Sequence, residues 1–128
     1  MEFAKTIIYV SDVAESLAFF DKAFGLPTKV SYGTNYGEVE TGGATLAFAS
    51  YDAGQSHLPQ GHRAGRFTDM GFEIALLTET VEEDFRRAVD AGAEPLLEPS
   101  ARPWGQTVSY LRCPDGTFVD LSSPVAAQ

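Results

Sequence analysis

Cysteine is nearly absent from the chain, with one residue, Cys113, in 128. A lone thiol cannot close an internal disulfide or build a thiolate zinc cluster, so disulfide scaffolds and zinc fingers are excluded. Histidine is almost as scarce, at His57 and His62 only, which leaves little imidazole for a transition-metal centre. Bases are few as well: 9 Lys and Arg stand against 18 Asp and Glu, a formal charge of −9. Such a chain repels nucleic acid and anionic membrane surfaces and attracts cationic small molecules. No apolar run approaches the ~20 residues that a bilayer-spanning helix needs. Met1, Glu2 and Phe3 lead straight into patterned sequence, without a basic stretch, apolar run and cleavage site. A soluble, cytoplasmic protein is therefore expected.

What is present suits one compact domain. Hydrophobic residues make up 44% of the chain and aromatic residues 12%, enough for a core in a domain of roughly 100–200 residues. Charged residues at 21%, with 12 Gly and 7 Pro, fall outside disordered and collagen-like compositions.

Residues 5–10, KTIIYV, read as a buried strand. Asp12 is a helix N-cap, and Val13, Leu17, Phe20 and Phe24 recur at helical spacing up to a stop at Gly25 and Pro27. Three short strands are predicted at 28–32, 36–41 and 44–50, divided by Gly33 and the Gly42-Gly43 turn. Residues 51–68 read as the longest loop. The pattern then starts again: a strand at 71–77, a cap at Thr78 or Thr80, and a helix over 81–92. Strands follow at 95–98, 106–112 and 117–122, the last two joined through Asp115-Gly116. Sliding the chain by 68 residues lays Glu73 on Lys5, Val81 on Val13, Ala91 on Ala23 and Pro95 on Pro27. The order strand, helix, three strands therefore occurs twice. The fold class is α+β: two tandem βαβββ modules, about 3–50 and 69–123, joined by loop 51–68.

Two segments carry a resemblance. IIYVSDVAESLAFFDKAFGLP is similar to the opening of vicinal oxygen chelate proteins, the superfamily of glyoxalase I, extradiol dioxygenases, fosfomycin-resistance enzymes and bleomycin-binding proteins. RPWGQTVSYLRCPDGTFVDLSSP resembles the close of that family's second module, the bleomycin-resistance branch above all. The resemblance implies curved mixed sheets that form a cleft. In members that hold a metal, His, Glu or Gln on the first and last strands of each module supply the ligands. Carried onto this chain, those positions are Lys5, Ala47, Glu73 and Asp120. A protonated lysine repels a divalent cation and alanine offers no lone pair, so the resemblance implies a degenerate metal site and no cofactor. Glu73 and Asp120 could still hold Mg²⁺ weakly through water.

Strand alternation can be set beside this mapping, since one face takes every second residue. Lys5, Ile7, Tyr9, Thr45, Ala47, Ala49, Gly71, Glu73, Ala75, Phe118, Asp120 and Ser122 fall on the cleft face. Ile8, Val10, Leu46, Phe48, Ile74, Leu76, Val119 and Leu121 form an apolar face under the helices. Glu73 and Asp120 are candidate ligand-binding acids; equally, Lys5 could neutralise them in a purely structural network. Trp104, in a loop between Pro103 and Gly105, is a candidate stacking residue, with burial in a subunit interface as the alternative. Lys5, Tyr9 and Phe118 complete the candidate ligand-binding set, and Tyr32, Tyr36, Tyr51 and Phe67 are further possible walls. His57, His62, Arg63 and Arg66 read as solvated loop residues, Arg86 and Arg87 as surface charges and Cys113 as structural.

Three functions are compatible with these residues. The first is a metal-free protein that binds or sequesters a small molecule, a cationic or planar aromatic compound, as bleomycin-resistance proteins do. The second is a glyoxalase- or dioxygenase-type lyase or oxidoreductase, and the third a dimeric partner-binding domain. A homodimer is expected in each case, because half-open sheets leave edges to cover.

Overall fold

The computed structural model describes residues 1–58 and 71–125. The chain divides into two compact units, residues 1–66 and 67–128. The first holds β1 (Lys5–Val10), α1 (Val13–Phe24), β2 (Thr28–Tyr32), β3 (Tyr36–Val39), β4 (Thr45–Ser50) and α2 (Tyr51–His57). The second holds β5 (Glu73–Leu77), α3 (Val81–Asp90), β6 (Glu94–Ala101), β7 (Thr107–Arg112) and β8 (Phe118–Ser122).

Both units use the same path. Each sheet has four strands, ordered β1-β4-β3-β2 in the first and β5-β8-β7-β6 in the second. The opening strand pairs parallel with the closing strand, and the remaining pairs are antiparallel. The registers also correspond: Lys5 faces Thr45 and Ile7 faces Ala47, while Glu73 faces Phe118 and Ala75 faces Asp120. Two tandem βαβββ modules of an α+β fold are thus present.

Local chemistry explains the helices. The Asp12 carboxylate accepts the Glu15 N–H at 3.0 Å and starts α1. Gly25, at φ 67°, ends it by donating its N–H to Asp21, and the Leu26 N–H reaches Phe20. This left-handed C-terminal turn is one that glycine adopts without strain. The α1 stripe of Val13, Leu17, Phe20 and Ala23 is buried against the sheet, with the Phe20 and Phe48 rings 4.9 Å apart. Burying each large side chain there contributes roughly 1.5–3 kcal/mol. In the second unit, α3 buries Val81, Phe85 and Ala88 and opens with Glu82, Glu83 and Asp84, acids that suit a helix N-terminus.

Three expectations are corrected. Residues 51–57, read as loop, form α2. Ser50 caps it by accepting the Ala53 N–H at 3.1 Å, and so short a helix shows no apolar periodicity. Strand β6 runs over 94–101 rather than 95–98. Pro95 and Pro99 shortened the expected strand, but β6 is a sheet edge and shifts register at Pro95/Leu97 and again at Leu97/Ser100, as edge strands with proline do. Finally, the apolar face is less uniform than alternation implied. Ile8, Val10, Leu46, Phe48, Val119 and Leu121 are buried, whereas Ile74 and Leu76 are half-buried. They lie on edge strand β5, while α3 packs chiefly over β6, β7 and β8.

Candidate ligand-binding site

In the first unit, Gly37 and Phe48 pair across β3 and β4 on the side covered by α1. Alternation then turns Tyr36, Glu38, Ala47, Ala49, Ile7 and Tyr9 to the opposite face. On that face the Lys5 ammonium donates to the Tyr36 hydroxyl at 2.6 Å and lies 3.3 Å from the Glu38 carboxylate. Tyr36 in turn donates to Glu38 at 2.5 Å. Since β4 lies between β1 and β3, the lysine stem must cross it. Ala47, 0% exposed, is the β4 residue opposite both Ile7 and Glu38; its small side chain leaves the crossing open.

The electrostatics match this arrangement. The Tyr36 hydroxyl, then Glu38, hold the Lys5 ammonium charged by raising its pKa. The same Tyr36 bond, with Lys5 behind it, lowers that of Glu38. Burial and the bond to Glu38 raise that of Tyr36 itself. Each group is therefore locked in the state the others need: cation, neutral phenol, anion. Lys5 thus has partners within its own sheet.

In the second unit, Glu73 is exposed at the start of β5, and Asp120 is half-buried on β8, between Ala75 and Tyr110. Strand geometry puts the Glu73 and Asp120 Cα atoms about 8 Å apart. Asp120 accepts a short hydrogen bond from the Ser122 hydroxyl. Burial raises the Tyr110 pKa, and the charges of Asp120 and Glu73 raise it further, so the phenol stays a hydrogen-bond donor beside two acids. Phe118 already carries a cation: the Arg112 guanidinium lies 4.3 Å over its ring and 3.6 Å from Glu94.

Trp104 is 58% exposed at the turn between β6 and β7. Its indole N–H donates to Gln106 at 2.7 Å, and Gln106 donates to the Ser123 carbonyl at 2.8 Å. The ring is tethered to the Ser123 end of the sheet, closer along β8 to Asp120 than to the Phe118 position that faces Glu73. Tyr9 is half-buried in the row Tyr9, Ala49, Tyr36, and Tyr32 stacks on Tyr36 at 6.2 Å. Cys113 is buried and His57 ends α2, whereas His62, Arg63, Arg66 and Phe67 lie outside the described residues.

Glu38, Tyr110 and Arg112 were missed as site residues. Continuing the alternation onto the neighbouring strands, through the Gly42-Gly43 and Asp115-Gly116 turns, would have found all three. Two of the four positions that the resemblance carries over offer a metal no donor. Lys5 is held as an ammonium and Ala47 has no donor atom, and among the described residues no group of three or more His, Cys, Asp or Glu could hold an ion.

Comparison with known proteins covers nearly the whole chain. The model of the Glyoxalase/Bleomycin resistance protein/Dioxygenase superfamily matches residues 2–121. A glyoxalase/bleomycin resistance protein/dioxygenase family enzyme from Burkholderia phytofirmans PsJN is 18% identical, with 96% of this chain and 98% of that one covered and a TM-score of 0.78. A glyoxalase-related enzyme from Fulvimarina pelagi is 23% identical over 99% and 94%, also at TM-score 0.78. A protein of unknown function from Agrobacterium tumefaciens str. C58 is 19% identical over 98% and 95%, at TM-score 0.82. At these identities the likeness is one of fold. No curated protein matches the chain.

Proposed function

The chain belongs to the Glyoxalase/Bleomycin resistance protein/Dioxygenase superfamily, and from that premise we propose that it binds a small molecule without a metal, in the manner of bleomycin-resistance proteins. The observation that carries this reading is Lys5. The family's first ligand position holds an ammonium bonded to Tyr36 and Glu38, and the next holds Ala47. The preferred ligand is a cationic or neutral planar compound. Glu73 and Asp120 supply negative charge, Tyr110 a hydroxyl and Trp104 a tethered, exposed ring. Stacking on that ring is worth about 0.5–2 kcal/mol.

Elemental analysis after metal supplementation, joined to a thermal-shift panel, tests the proposal. The expected result is no stoichiometric Zn²⁺, Ni²⁺, Fe²⁺ or Mn²⁺, with stabilisation by bleomycin-type glycopeptides or planar aromatic cations. Trp104→Ala should weaken such a ligand by about tenfold, the equivalent of ~1.4 kcal/mol. One metal per chain that Asp120→Ala removes, or stabilisation by anions alone, refutes it.

The enzyme reading has its own support. Tyr110, kept protonated by burial and by the charges of Asp120 and Glu73, can donate a hydrogen bond to a substrate oxygen, and two of the similar structures are named as enzymes. Turnover of an anionic substrate such as a glutathione hemithioacetal, lost in Tyr110→Phe, would favour it.

A further inference from the structure

The Lys5 contact has an asymmetry. Three features recognise the ammonium, and all come from β3: the Glu38 carboxylate, the Tyr36 hydroxyl, and the Tyr36 ring, whose centroid lies 5.0 Å from the nitrogen. Tyr36 and Glu38 are bonded to each other at 2.5 Å, so the acceptor pair does not depend on Lys5 for its geometry. The cation arrives from the first residue of edge strand β1, on a long flexible stem. Its side chain is 37% exposed, against 15% for Glu38. An acceptor pair bonded to itself is thus matched with a more exposed donor on a long stem.

We propose that Tyr36 and Glu38 form a socket for an ammonium or guanidinium group, filled by Lys5 in the free chain, and that a cationic ligand enters it by exchange with the protein's own lysine. The exchange swaps one cation for another, so the half-buried Glu38 carboxylate keeps a cationic partner throughout. The neighbouring surface indicates what the ligand carries. The Tyr32 ring, 66% exposed, stacks on Tyr36 at an interplanar angle of 25° and extends the aromatic surface outward. A cation attached to a flat apolar body fits this wall. Lys29 on β2 is the second cation whose field reaches Glu38, and it stays in place during the exchange. The socket is built from residues of the first unit, whereas the acids proposed for ligand binding belong to the second.

An internal competitor lowers apparent affinity by the fraction of time the socket stands empty. If Lys5 fills it about nine-tenths of the time, removing the lysine tightens binding by about tenfold. The probe is 2-phenylethylguanidinium at constant ionic strength, with 2-phenylethanol as its neutral counterpart, measured by calorimetry. Lys5→Met is expected to bind the guanidinium about tenfold more tightly than the natural chain, with no gain for the alcohol. Adding Glu38→Gln should abolish the gain, whereas Asp90→Asn, at the exposed end of α3, should leave it unchanged. A Lys5→Met chain that binds no more tightly, or a gain that survives Glu38→Gln, overturns the socket. Binding lost in Asp120→Asn but kept in Glu38→Gln also overturns it while leaving the second-unit reading intact. Should Lys5→Met not fold, acetylation of Lys5 in the natural chain decides: saturating probe should speed it several-fold, and an unchanged or slower rate overturns the proposal.

Discussion

Replacing Gly37 with alanine is the sharpest perturbation the first unit offers. Its backbone is outside the left-handed region, so alanine is tolerated there and only space is at issue. A Cβ at this position would lie 2.6 Å from Leu17 Cδ1, 3.2 Å from Cδ2 and 3.3 Å from Cγ. Carbon atoms prefer about 3.5–4.0 Å, so Leu17 and the strand must part by roughly 1 Å. Leu17 is itself buried on α1, beside Phe20 and the sheet, and cannot swing into solvent without leaving a void. Overpacking of this kind costs roughly 1–3 kcal/mol, and restricting the unfolded chain returns roughly 0.4–1 kcal/mol. A net loss of about 1–2 kcal/mol is expected, or a Tm lower by roughly 4–8 °C for a chain of this length. Urea unfolding of Gly37→Ala, Leu17→Val and the double variant measures it. Because the clash is with the leucine tip, the double variant should be more stable than the sum of the single losses by at least ~0.5 kcal/mol. Additive losses, or a neutral Gly37→Ala, would refute the reasoning. Tyr36 and Glu38 flank this glycine, so the same variant should also loosen the grip on Lys5.

Burial, with Asp115 behind it, pushes the Cys113 thiol well above its ordinary value. The folded chain then keeps a proton that the unfolded chain loses near pH 8.5. Stability should therefore be full below that pH and fall above it by up to ~1.4 kcal/mol per pH unit; urea midpoints of the natural chain and Cys113→Ala from pH 7 to 10 should diverge, and parallel curves refute the assignment. Ser109, fully buried, donates to the Leu121 carbonyl at 2.5 Å, so Ser109→Ala should lose roughly 0.5–1.5 kcal/mol in the same assay. Light scattering at micromolar concentration should give the mass of a homodimer, since β1 and β2, and likewise β5 and β6, are sheet edges in their units; a monomer refutes this.

Most of the fold was legible because strand and helix periods differ and the turns are marked. Val13, Leu17 and Phe20 declare a helix face, and Gly25 and Gly116 mark where the chain reverses. Helix α2 was not legible, since Tyr51–His57 rests on the Ser50 cap and has no apolar stripe. The site was legible only in part. Lys5, Ala47, Glu73 and Asp120 are what the family resemblance implies when its positions are carried onto single strands. That Lys5 reaches over β4 to Glu38 depends on the register of three strands at once, and nothing local to Glu38 announces it. Phe118 could be placed on its face, but the guanidinium of Arg112 over its ring comes from the paired strand. The Trp104 indole bond to Gln106 is a property of the turn's shape, which alternation does not describe.

The parallel pairing in each unit has a kinetic meaning. Strands β2 to β4, and β6 to β8, meander through short local turns, while β1 and β5 join only a strand from the far end of their own unit. Closing such a pair means first ordering everything between, so it comes late in folding and opens early in native fluctuations. Lys5 and Glu73 stand at the first positions of β1 and β5. A half-open unit can keep its hairpins and its helix while the two charged groups are already out of place. A ligand gripping both Glu73 and Asp120 would act as a clasp on the β5–β8 seam, and slowed amide exchange along β5 is where that clasp would be recorded.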